Sequence, residues 1–435
     1  MNSFLRFTRN YRNIVNGNKV VIVNRDTGMW MRISKECFDI LDEAILKECK
    51  KEELLQSFQD TEDREYFEEL LDNAEKLGII SECREAPKRI ETVYLILTNR
   101  CNLKCKHCCV SAEAIGNEIV NSELNTISFK KAIDKIVACN PDRIIVSGGE
   151  PMIRKDFMEI IQYLRSLYRG MIDLSTNAIL INSENVKEII RNVDRIDISI
   201  DGVDEETCSM VRGKGVFEKV ISAIKLLKAE GFNEIFLSMV FGDYNEGLQE
   251  KFKKLNKELG TQSVIRAFVP IGRGKENKEI FVNPEKDSVP ENEYTDEEMQ
   301  TARQGMVGIR CGAGVTDLTI NYDGNVYPCA NLLNNYYKMF NIFEVDSIPT
   351  FINADIEKCE GYKKLESIQP ENYEKCKDCK VNLFCWSCLQ DIENLKEHKE
   401  SFERYCYLKK ISYIRLFGEK RCNNAKFCFV GNIML

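Results

Sequence analysis

Three cysteines in a short stretch of the chain have the spacing of ligands to an iron–sulfur cluster. Cys101, Cys105 and Cys108 follow the pattern C-x3-C-x2-C, which gives a cubane three thiolates and leaves one iron without a protein ligand. Electron-transfer clusters are normally closed by four cysteines, so an open iron predicts that a small molecule completes the coordination. A zinc-binding loop, or cysteines clustered by chance, is the alternative that the spacing leaves open.

Two further groups of residues could bind a ligand. The segment Gly148-Gly149-Glu150-Pro151 combines two glycines, which allow the backbone to approach a bound molecule closely, with a carboxylate. The other candidates are the polar side chains of Ser175, Asn177, Ser199 and Arg212. Each has an ordinary alternative, because a Gly-Gly-Glu-Pro sequence is often only a turn, serine and asparagine commonly form turns, and an arginine is commonly a solvated surface cation.

The elements that must position these residues are six short apolar runs that alternate with amphipathic segments. The predicted strands are Val93 to Thr98, Arg143 to Ser147, Met171 to Thr176, Arg195 to Asp201, Glu234 to Phe241 and Ser263 to Pro270. The predicted helices are Phe129 to Cys139, Asp156 to Tyr168, Glu184 to Arg191, Phe217 to Glu230 and Leu248 to Leu259. This alternation predicts an α/β fold with a parallel sheet. The candidate motifs fall at the carboxyl ends of the first four strands, and barrels built from parallel strands and helices carry their active sites at that end of the strands.

The three-cysteine loop, with His107 before its third cysteine, and the Gly-Gly-Glu-Pro segment resemble the radical S-adenosylmethionine (SAM) enzymes. The resemblance implies a partial (β/α)6 barrel, open on one side, with a [4Fe–4S] cluster that binds SAM. The residues that it implies for SAM binding are His107, Gly148, Gly149, Glu150 and Pro151 (amino group and surroundings), Ser175 and Asn177 (ribose), and Ser199 and Arg212 (carboxylate). Such enzymes cleave SAM reductively to a 5′-deoxyadenosyl radical, which abstracts hydrogen from an unreactive C–H bond.

A second cysteine system occupies the C-terminal third of the chain. Its members are Cys311, Cys329, Cys376, Cys379, Cys385, Cys388 and Cys406. Their order resembles the SPASM extension, which implies two auxiliary [4Fe–4S] clusters and hence three clusters in all. The family pattern assigns Cys376, Cys379, Cys385 and Cys406 to a closed cluster, and Cys311, Cys329 and Cys388 to one with an open iron, since residues 296–310 contain no further cysteine. Two residues instead of the usual three separate Cys385 from Cys388, and a zinc site at Cys376 to Cys388 is the alternative.

Hairpins and helices are predicted for the first 82 residues. Apolar strands lie between Ile14 and Ile33, and helices are expected near Lys35 to Glu48, Lys51 to Gln59 and Asp63 to Leu77. This winged-helix-like unit resembles the PqqD-like domains that bind a leader peptide as an extra strand. A generic packing module is the alternative. We predict domains at 1–82 (PqqD-like), 83–271 (radical SAM core), 272–307 (bridging segment), 308–410 (SPASM) and 411–435 (C-terminal tail).

This order of domains resembles the maturases of ribosomally made peptides, especially the subtilosin-type sactipeptide synthases. The implied activity is the formation of thioether cross-links from cysteine sulfur to carbon in a precursor peptide. The implied partners are that peptide with its leader and an electron donor such as flavodoxin or ferredoxin. Epimerisation, carbon–carbon cross-linking and sulfatase-type cysteine oxidation are the enzymatic alternatives, and an iron–sulfur electron carrier or zinc-binding interaction protein is the non-enzymatic one.

Composition narrows the remaining classes of protein. The 61 basic and 69 acidic residues give a net charge of -8, without a long basic block, which argues against nucleic acid as a partner. The N-terminus lacks the apolar core of a signal peptide, and nowhere do 18 apolar residues follow one another, so we expect a cytoplasmic protein without a membrane partner. The 19 cysteines in a reducing compartment favour metal ligation, and with two histidines the ligands must be mostly thiolates.

Overall fold

The computed structural model describes residues 4–83, 87–114, 122–282, 307–385, 388–396, 398–403, 405–406 and the backbone of 429–430. Cys422 and Cys428, most of the predicted bridging segment and nearly all of the predicted tail lie outside these residues. The chain divides into two compact units. The first unit comprises Met1–Pro87, Val289–Gly312 and Glu366–Leu435, and the second comprises Lys88–Ser288 and Ala313–Leu365.

Strands and helices alternate along much of the described chain. In chain order, the strands are β1 (Arg6–Phe7), β2 (Tyr11–Asn16), β3 (Lys19–Asn24), β4 (Trp30–Ser34), β5 (Ile80–Ser81), β6 (Thr92–Ile96), β7 (Arg100–Cys101), β8 (Glu113–Ala114), β9 (Arg143–Ser147), β10 (Met171–Thr176), β11 (Arg195–Ser199), β12 (Ile235–Phe241), β13 (Gln262–Ala267), β14 (Asp317–Ile320), β15 (Asn325–Tyr327), β16 (Phe340–Asn341) and β17 (Phe429–Val430). The helices are α1 (Lys35–Leu46), α2 (Lys51–Gln56), α3 (Thr61–Lys76), α4 (Thr126–Val137), α5 (Phe157–Leu167), α6 (Val186–Asn192), α7 (Glu205–Arg212), α8 (Val216–Ala229), α9 (Gln249–Leu259), α10 (Arg273–Glu276), α11 (Lys278–Phe281), α12 (Ile348–Ala354), α13 (Glu360–Ser367), α14 (Asn382–Cys385) and α15 (Leu389–Leu395).

The sheet of the second unit contains the six predicted parallel strands. They lie side by side in the order β13-β12-β11-β10-β9-β6. Strand β9 shows why its sequence suits this position: Ile144 and Val146 are buried in the core, whereas Arg143, Ile145 and Ser147 point to the other face and line a cavity. Because side chains alternate along a strand, each strand contributes one face to the core and one to the site.

Three more strands extend this sheet beyond β6. β14 pairs parallel to β6, and β15 and β16 follow antiparallel. The turn residues Tyr322-Asp323-Gly324 between two short apolar runs predict the β14–β15 hairpin, and the sequence places it in the segment 308–410 that resembles the SPASM extension. In the structure the hairpin continues the barrel sheet, so β6 is an inner strand. This pairing joins residues far apart in sequence and leaves no local pattern.

Helices with one apolar face lie alongside the strands of the second unit. α4, α5, α6 and α8 are neighbours, and their buried residues recur at three and four, as Phe129, Ala132, Ile133 and Ile136 do in α4. The sequence analysis missed α7. A capping box marks the start of this helix in the sequence, because the Asp204 side chain accepts a hydrogen bond from the backbone N–H of Thr207.

The first unit is built on the sheet β17-β4-β3-β2, whose described strands are antiparallel. Both faces are apolar, as the continuous run in β3 requires. One face carries Val20, Ile22, Met31 and Ile33, which pack with α1, α2 and α3. The other forms a separate cluster of Ile14, Val21, Val23, Trp30, Leu383 and Phe384.

The N-terminal strands and helices occur where the sequence predicts them, whereas the PqqD-like assignment itself stays a prediction. Ion pairs reinforce the contact between the N-terminal sheet and the C-terminal part of the first unit, since Glu371 accepts from Arg12 at 2.8 Å and from Arg25 at 2.7 Å. In the described part of the chain, no helix combines the length and apolar composition that crossing a membrane would need.

Candidate functional site

A cavity of about 600 Å³ opens at the carboxyl ends of the parallel strands. It lies entirely within the second unit. The candidate residues that line it are Cys101, Cys105, His107, Cys108, Gly148, Gly149, Ser175, Asn177, Ser199 and Arg212. The structure thus brings together residues from five segments: the cysteine loop, the glycine loop, the carboxyl ends of β10 and β11, and α7. Glu150 and Pro151 are buried and are not among its lining residues.

Each thiol of the three-cysteine loop receives an N–H donor. The Leu103 backbone donates to Cys101 Sγ at 3.4 Å, and the Ala112 backbone donates to Cys108 Sγ at 3.3 Å. Two side chains add polar contacts, Asn177 Nδ2 to Cys101 Sγ at 3.9 Å and Arg212 Nη1 to Cys105 Sγ at 3.7 Å. Such donors stabilise sulfur that carries negative charge, as it does when it binds iron, and they influence the reduction potential of a cluster.

Without a metal the thiols of Cys101 and Cys105 would be protonated. Burial raises the pKa of Cys101 to about 11 and also raises the pKa of Cys105. A bound metal cation has the opposite effect and favours the thiolate, because it takes the place of the proton on sulfur. Among the described residues, no three Cys, His, Asp or Glu side chains converge closely enough to hold a single ion. A cubane takes one thiolate on each of three irons, and the three cysteines that line one cavity supply that set of donors.

The two glycines of the Gly-Gly-Glu-Pro segment lie against the strand and loop that carry the cysteines. The Gly149 N–H donates to Thr98 O at 2.8 Å, and a Cβ on Gly149 would lie 2.3 Å from Arg100 O. A Cβ on Gly148 would lie 2.6 Å from Thr98 O. Glycine is therefore required at both positions, because any side chain would push the two loops apart.

The Glu150 carboxylate acts inside the loop rather than in the cavity. It accepts from Thr176 Oγ1 at 2.8 Å, from the Asn177 N–H at 2.8 Å and from the Met152 N–H at 3.2 Å. Burial raises its pKa to about 6, although these donors oppose the shift. The carboxylate thus ties the glycine loop to the end of β10 and thereby fixes Asn177 beside the cluster loop.

Asp201 connects three parts of the site. It accepts from Arg212 Nε at 2.6 Å and from the Val240 N–H at 2.7 Å, and it contacts His107 Nε2. Burial alone would raise the pKa of Asp201, but Arg212 and His107 hold it well below its usual range. Burial alone would lower the pKa of Arg212, but Asp201 raises it. Because Arg212 is 9% exposed, the alternative of a solvated surface cation is wrong.

The remaining polar candidates lie at the ends of β10 and β11. Ser175 precedes the last residue of β10, and Ser199 is the last residue of β11, with its Oγ 3.5 Å from Ser238 Oγ. Asn177 donates to Asn102 Oδ1 at 2.7 Å, which links the strand end to the cysteine loop. All three side chains face the volume that the thiols border.

The cysteines of the C-terminal system divide between the units. Cys376, Cys379, Cys385 and Cys406 belong to the first unit, as do Cys311 and Cys388, whereas Cys329 belongs to the second. Tyr405 donates to Cys385 O at 3.2 Å, so the neighbour of Cys406 lies beside the loop that carries the other three members of the predicted closed cluster. Cys329 directly precedes Ala330 and Asn331, which line the cavity.

Comparison with known proteins identifies the two cysteine systems. Residues 95–255 match the model of the radical SAM superfamily. The chain contains a radical SAM domain. Residues 311–380 match the model of the SPASM iron–sulfur cluster-binding domain. The predicted radical SAM α/β fold and SPASM domain are therefore confirmed, and these domains indicate that the chain binds iron–sulfur clusters and SAM. The non-enzymatic alternative is wrong.

Relatives of this radical SAM enzyme include named maturases. The mycofactocin maturase MftC of Mycobacterium tuberculosis is 28% identical over 263 residues, which cover 57% of this chain and 66% of that protein. The antilisterial bacteriocin subtilosin biosynthesis protein AlbA of Bacillus subtilis is 27% identical over 328 residues, covering 70% and 68%. The chain thus spans about two thirds of either protein. The structure of Streptococcus suis SuiB has a TM-score of 0.52 at 15% identity, covers 90% of this chain and 97% of that one, and shows similarity of fold alone.

Sequence reasoning missed two parts of the radical SAM site. Asp201 lies in the strand-end motif Ser199-Ile200-Asp201-Gly202, but the sequence analysis assigned it no function. An acidic residue before a glycine at the end of a strand could have identified it as a candidate site residue. Glu123 is also buried, and it accepts from Arg100 Nη2 at 2.9 Å and Arg154 Nη1 at 3.3 Å. The sequence carries no signal for it, because its partners come from separate loops.

Proposed function

We propose that this enzyme is a peptide maturase that forms thioether cross-links between a cysteine sulfur and a carbon of another residue of a ribosomal precursor peptide. The observation that carries the proposal is the convergence of the three thiols, the glycine pair and the strand-end polar side chains on one cavity. The choice of a peptide and of thioether chemistry is supported by the SPASM domain and by the match to AlbA.

In this proposal Cys101, Cys105 and Cys108 hold the [4Fe–4S] cluster. A cluster of this kind, when reduced, supplies an electron that splits SAM and yields a 5′-deoxyadenosyl radical able to abstract hydrogen from carbon. The backbone at Gly148 and Gly149 lies close enough to the cysteine loop to contact the amino group of SAM.

Polar side chains complete the proposed SAM site. Ser175 and Asn177 bind the ribose, and Ser199 with Arg212 binds the carboxylate. Arg212 is well suited to this role because Asp201 holds both its Nε and its Nη2 at 2.6 Å, which leaves Nη1 directed toward the Cys105 thiol. His107 supports the same arrangement from the cysteine loop through its contact with Asp201.

Two auxiliary clusters complete the proposed set of three. Cys376, Cys379, Cys385 and Cys406 hold a closed cluster, and Cys311, Cys329 and Cys388 are the ligands of a second one with an open iron. The position of Cys329 next to cavity-lining residues supports a role for this cluster in holding the peptide thiolate. Bound to these cysteines, the auxiliary clusters would supply an acceptor for the electron released on bond formation, and a flavodoxin or ferredoxin would be the electron donor of the enzyme.

The N-terminal sheet is the proposed site for the leader of the precursor peptide. An extended peptide binds a sheet by pairing with an edge strand. The outer edge of β4 pairs with β17, so β2 is the strand at the other end of this sheet. Lys380 Nζ donates to Val15 O of β2 at 2.6 Å, and a leader that paired there would displace this one contact.

Leader binding is tested with the full chain. A fluorescent leader of the precursor peptide encoded beside this gene should bind with a saturable rise in anisotropy. Val15→Pro places a proline in β2, and weaker leader binding by this variant supports the edge assignment. Equal binding by both proteins would contradict it.

The chemistry is tested by anaerobic turnover of the same precursor peptide with SAM and a reductant. Formation of 5′-deoxyadenosine together with loss of two hydrogens per bond, and cysteines that no longer react with an alkylating agent, would support thioether formation. Cys105→Ala should abolish both products, and the exposed Cys83→Ser serves as the matched control. Deoxyadenosine with an unchanged peptide mass would favour epimerisation, and no deoxyadenosine from cluster-loaded protein would contradict the mechanism.

A further inference from the structure

The floor of the cavity is a row of alternating charges that the proposed mechanism does not use. Its members are Arg143 of β9, Asp173 of β10, Arg195 and Asp197 of β11, and Arg266 of β13, and all of them line the cavity. Asp173 and Asp197 stand two positions before Ser175 and Ser199 on the same strands. Two residues span roughly 7 Å of a strand, so the row lies one side-chain layer deeper than the proposed SAM contacts.

The charges form a connected chain that ends in an accessible guanidinium. Asp173 contacts Arg143, and its Oδ2 lies 3.6 Å from Arg195 Nε. Asp197 Oδ2 lies 4.0 Å from Arg195 Nη2 and accepts from Arg266 Nη2 at 2.8 Å. The two carboxylates are the least exposed members of the row, at 1% for Asp173 and 10% for Asp197. The side chain of Arg266, at 52%, is more exposed than those of Arg143 at 33% and Arg195 at 21%.

A contribution to folding stability does not by itself explain why these charged side chains are buried together. Burying charges costs several kcal/mol for each ion and is recovered only when every lone pair and proton has a partner. Here Asp173 Oδ1 and Asp197 Oδ1 are buried without a hydrogen-bond partner among the described residues. Three arginines against two carboxylates leave one excess positive charge at the floor of a site that must bind a substrate.

The excess charge resides at the exposed end of the row. Asp197 accepts one hydrogen bond from Nη2 of Arg266, which within the described part of the chain is the only hydrogen bond of this guanidinium group. Arg266 lines the cavity and its side chain is 52% exposed, so further N–H donors of the planar group are accessible, and such a group can bind a carboxylate through two hydrogen bonds. An anion placed there would continue the alternation of charges.

We infer that Arg266 binds a carboxylate of the peptide substrate, either an Asp or Glu side chain near the residue that reacts or the C-terminal carboxylate of the peptide. The inference rests on the proposed function, because it takes the substrate to be a peptide. It assigns specificity to the floor of the barrel, whereas the SAM carboxylate binds one layer above, at Ser199 and Arg212.

The binding site is tested without the natural peptide. Glutarate, which resembles a glutamate side chain, and the neutral glutaramide are titrated by ligand-observed NMR into the full-length protein with its clusters reconstituted and SAM at saturation. Glutarate should bind in the millimolar range and glutaramide should not. Arg266→Gln should weaken glutarate binding by about 10-fold or more, and Lys254→Gln, which removes a cation of α9 that is 77% exposed, should bind glutarate like the wild type.

Three results would overturn the inference. They are equal glutarate binding by Arg266→Gln, equal binding of glutaramide, and glutarate binding that occurs in a parallel titration without SAM but not at saturating SAM, since the last would assign the anion site to the carboxylate of SAM. This experiment does not depend on turnover. A wild-type protein that binds glutarate through Arg266 but makes no deoxyadenosine would contradict the proposed function and leave the anion site standing.

Turnover then identifies the source of the carboxylate. Each Asp or Glu of the precursor peptide is changed to its amide, and the C-terminus is amidated in a separate peptide. One of these changes should raise KM by about 10- to 100-fold with the wild type. The same change should have little further effect with Arg266→Gln, because the contact is already lost. Independent, additive effects for every peptide carboxylate would contradict the assignment.

Discussion

Replacement of Asp201 by asparagine tests whether one buried carboxylate holds the site together. Asparagine has nearly the same volume as aspartate and can still accept hydrogen bonds, so Asp201→Asn isolates the loss of charge. It leaves Arg212 buried without its counter-charge and His107 without its carboxylate partner.

The expected effect is large because the pair is buried. Asp201 is 1% and Arg212 9% exposed, and removal of one partner from a buried ion pair costs about 3–5 kcal/mol. Because asparagine retains some of the hydrogen bonds, we expect Asp201→Asn to lower the free energy of unfolding by about 3 kcal/mol, the lower end of that range. The pKa of Asp201 is lowered in the folded protein, so its contribution is present above the usual carboxyl pKa and is lost as pH falls below about 4.

The free energy of unfolding of the full chain is measured in urea at pH 7. Asp204→Asn is the matched control, because Asp204 is an exposed helix cap three residues on and asparagine caps equally well. A second measurement, the EPR spectrum of the reduced first cluster, should change in Asp201→Asn alone because Arg212 no longer holds its position beside Cys105. If Asp201→Asn unfolds at the same urea concentration as Asp204→Asn, the electrostatic reasoning is refuted.

Three further predictions concern the loop, its carboxylate and the first unit. The raised pKa of Glu150 means that its stabilising effect is present below pH 4.5 and is lost as pH rises through about 6, so the wild type should gain about 1 kcal/mol between pH 7.5 and pH 5 and Glu150→Gln should not. Gly149→Ala forces a Cβ to 2.3 Å from a carbonyl oxygen, so iron content and SAM affinity should both fall, with a stability loss of about 1–3 kcal/mol. Glu371→Gln removes the charge that Arg25 and Arg12 share, and urea unfolding should show a loss of about 1–3 kcal/mol.

Matched controls accompany the last two variants. Gly247→Ala introduces a Cβ that meets no atom within 4 Å, and Glu374→Gln changes a side chain that is 88% exposed. Both should leave stability, iron content and SAM affinity unchanged. Equal losses in a variant and its control would show that the named contact is not the cause. A pH dependence that persists in Glu150→Gln would assign the titration to another group.

The sequence predicts the second unit well because its signals are local. β9 and β10 occupy the predicted bounds, since each is a short apolar run, and the motifs gather at one edge because carboxyl ends of parallel strands do so. The pairing of β14 with β6 was not predictable, because it depends on a contact between distant segments. For the same reason the partners of Asp201 and the inward turn of Glu150 appear only in the structure.

The apolar cluster on the second face of the N-terminal sheet limits how this protein can be divided or recombined. Trp30 packs edge-on against Phe384 with the two ring centroids 5.5 Å apart, and Phe384 lies in the helix that ends at Cys385. A fragment that ends at residue 82, fused to another enzyme, would expose this apolar face to water. The fusion protein would be prone to aggregation unless the recipient supplied a matching apolar surface. Transfer of the N-terminal sheet to another protein therefore requires two distant segments of sequence together, the sheet itself and the cysteine-bearing helix against which it packs.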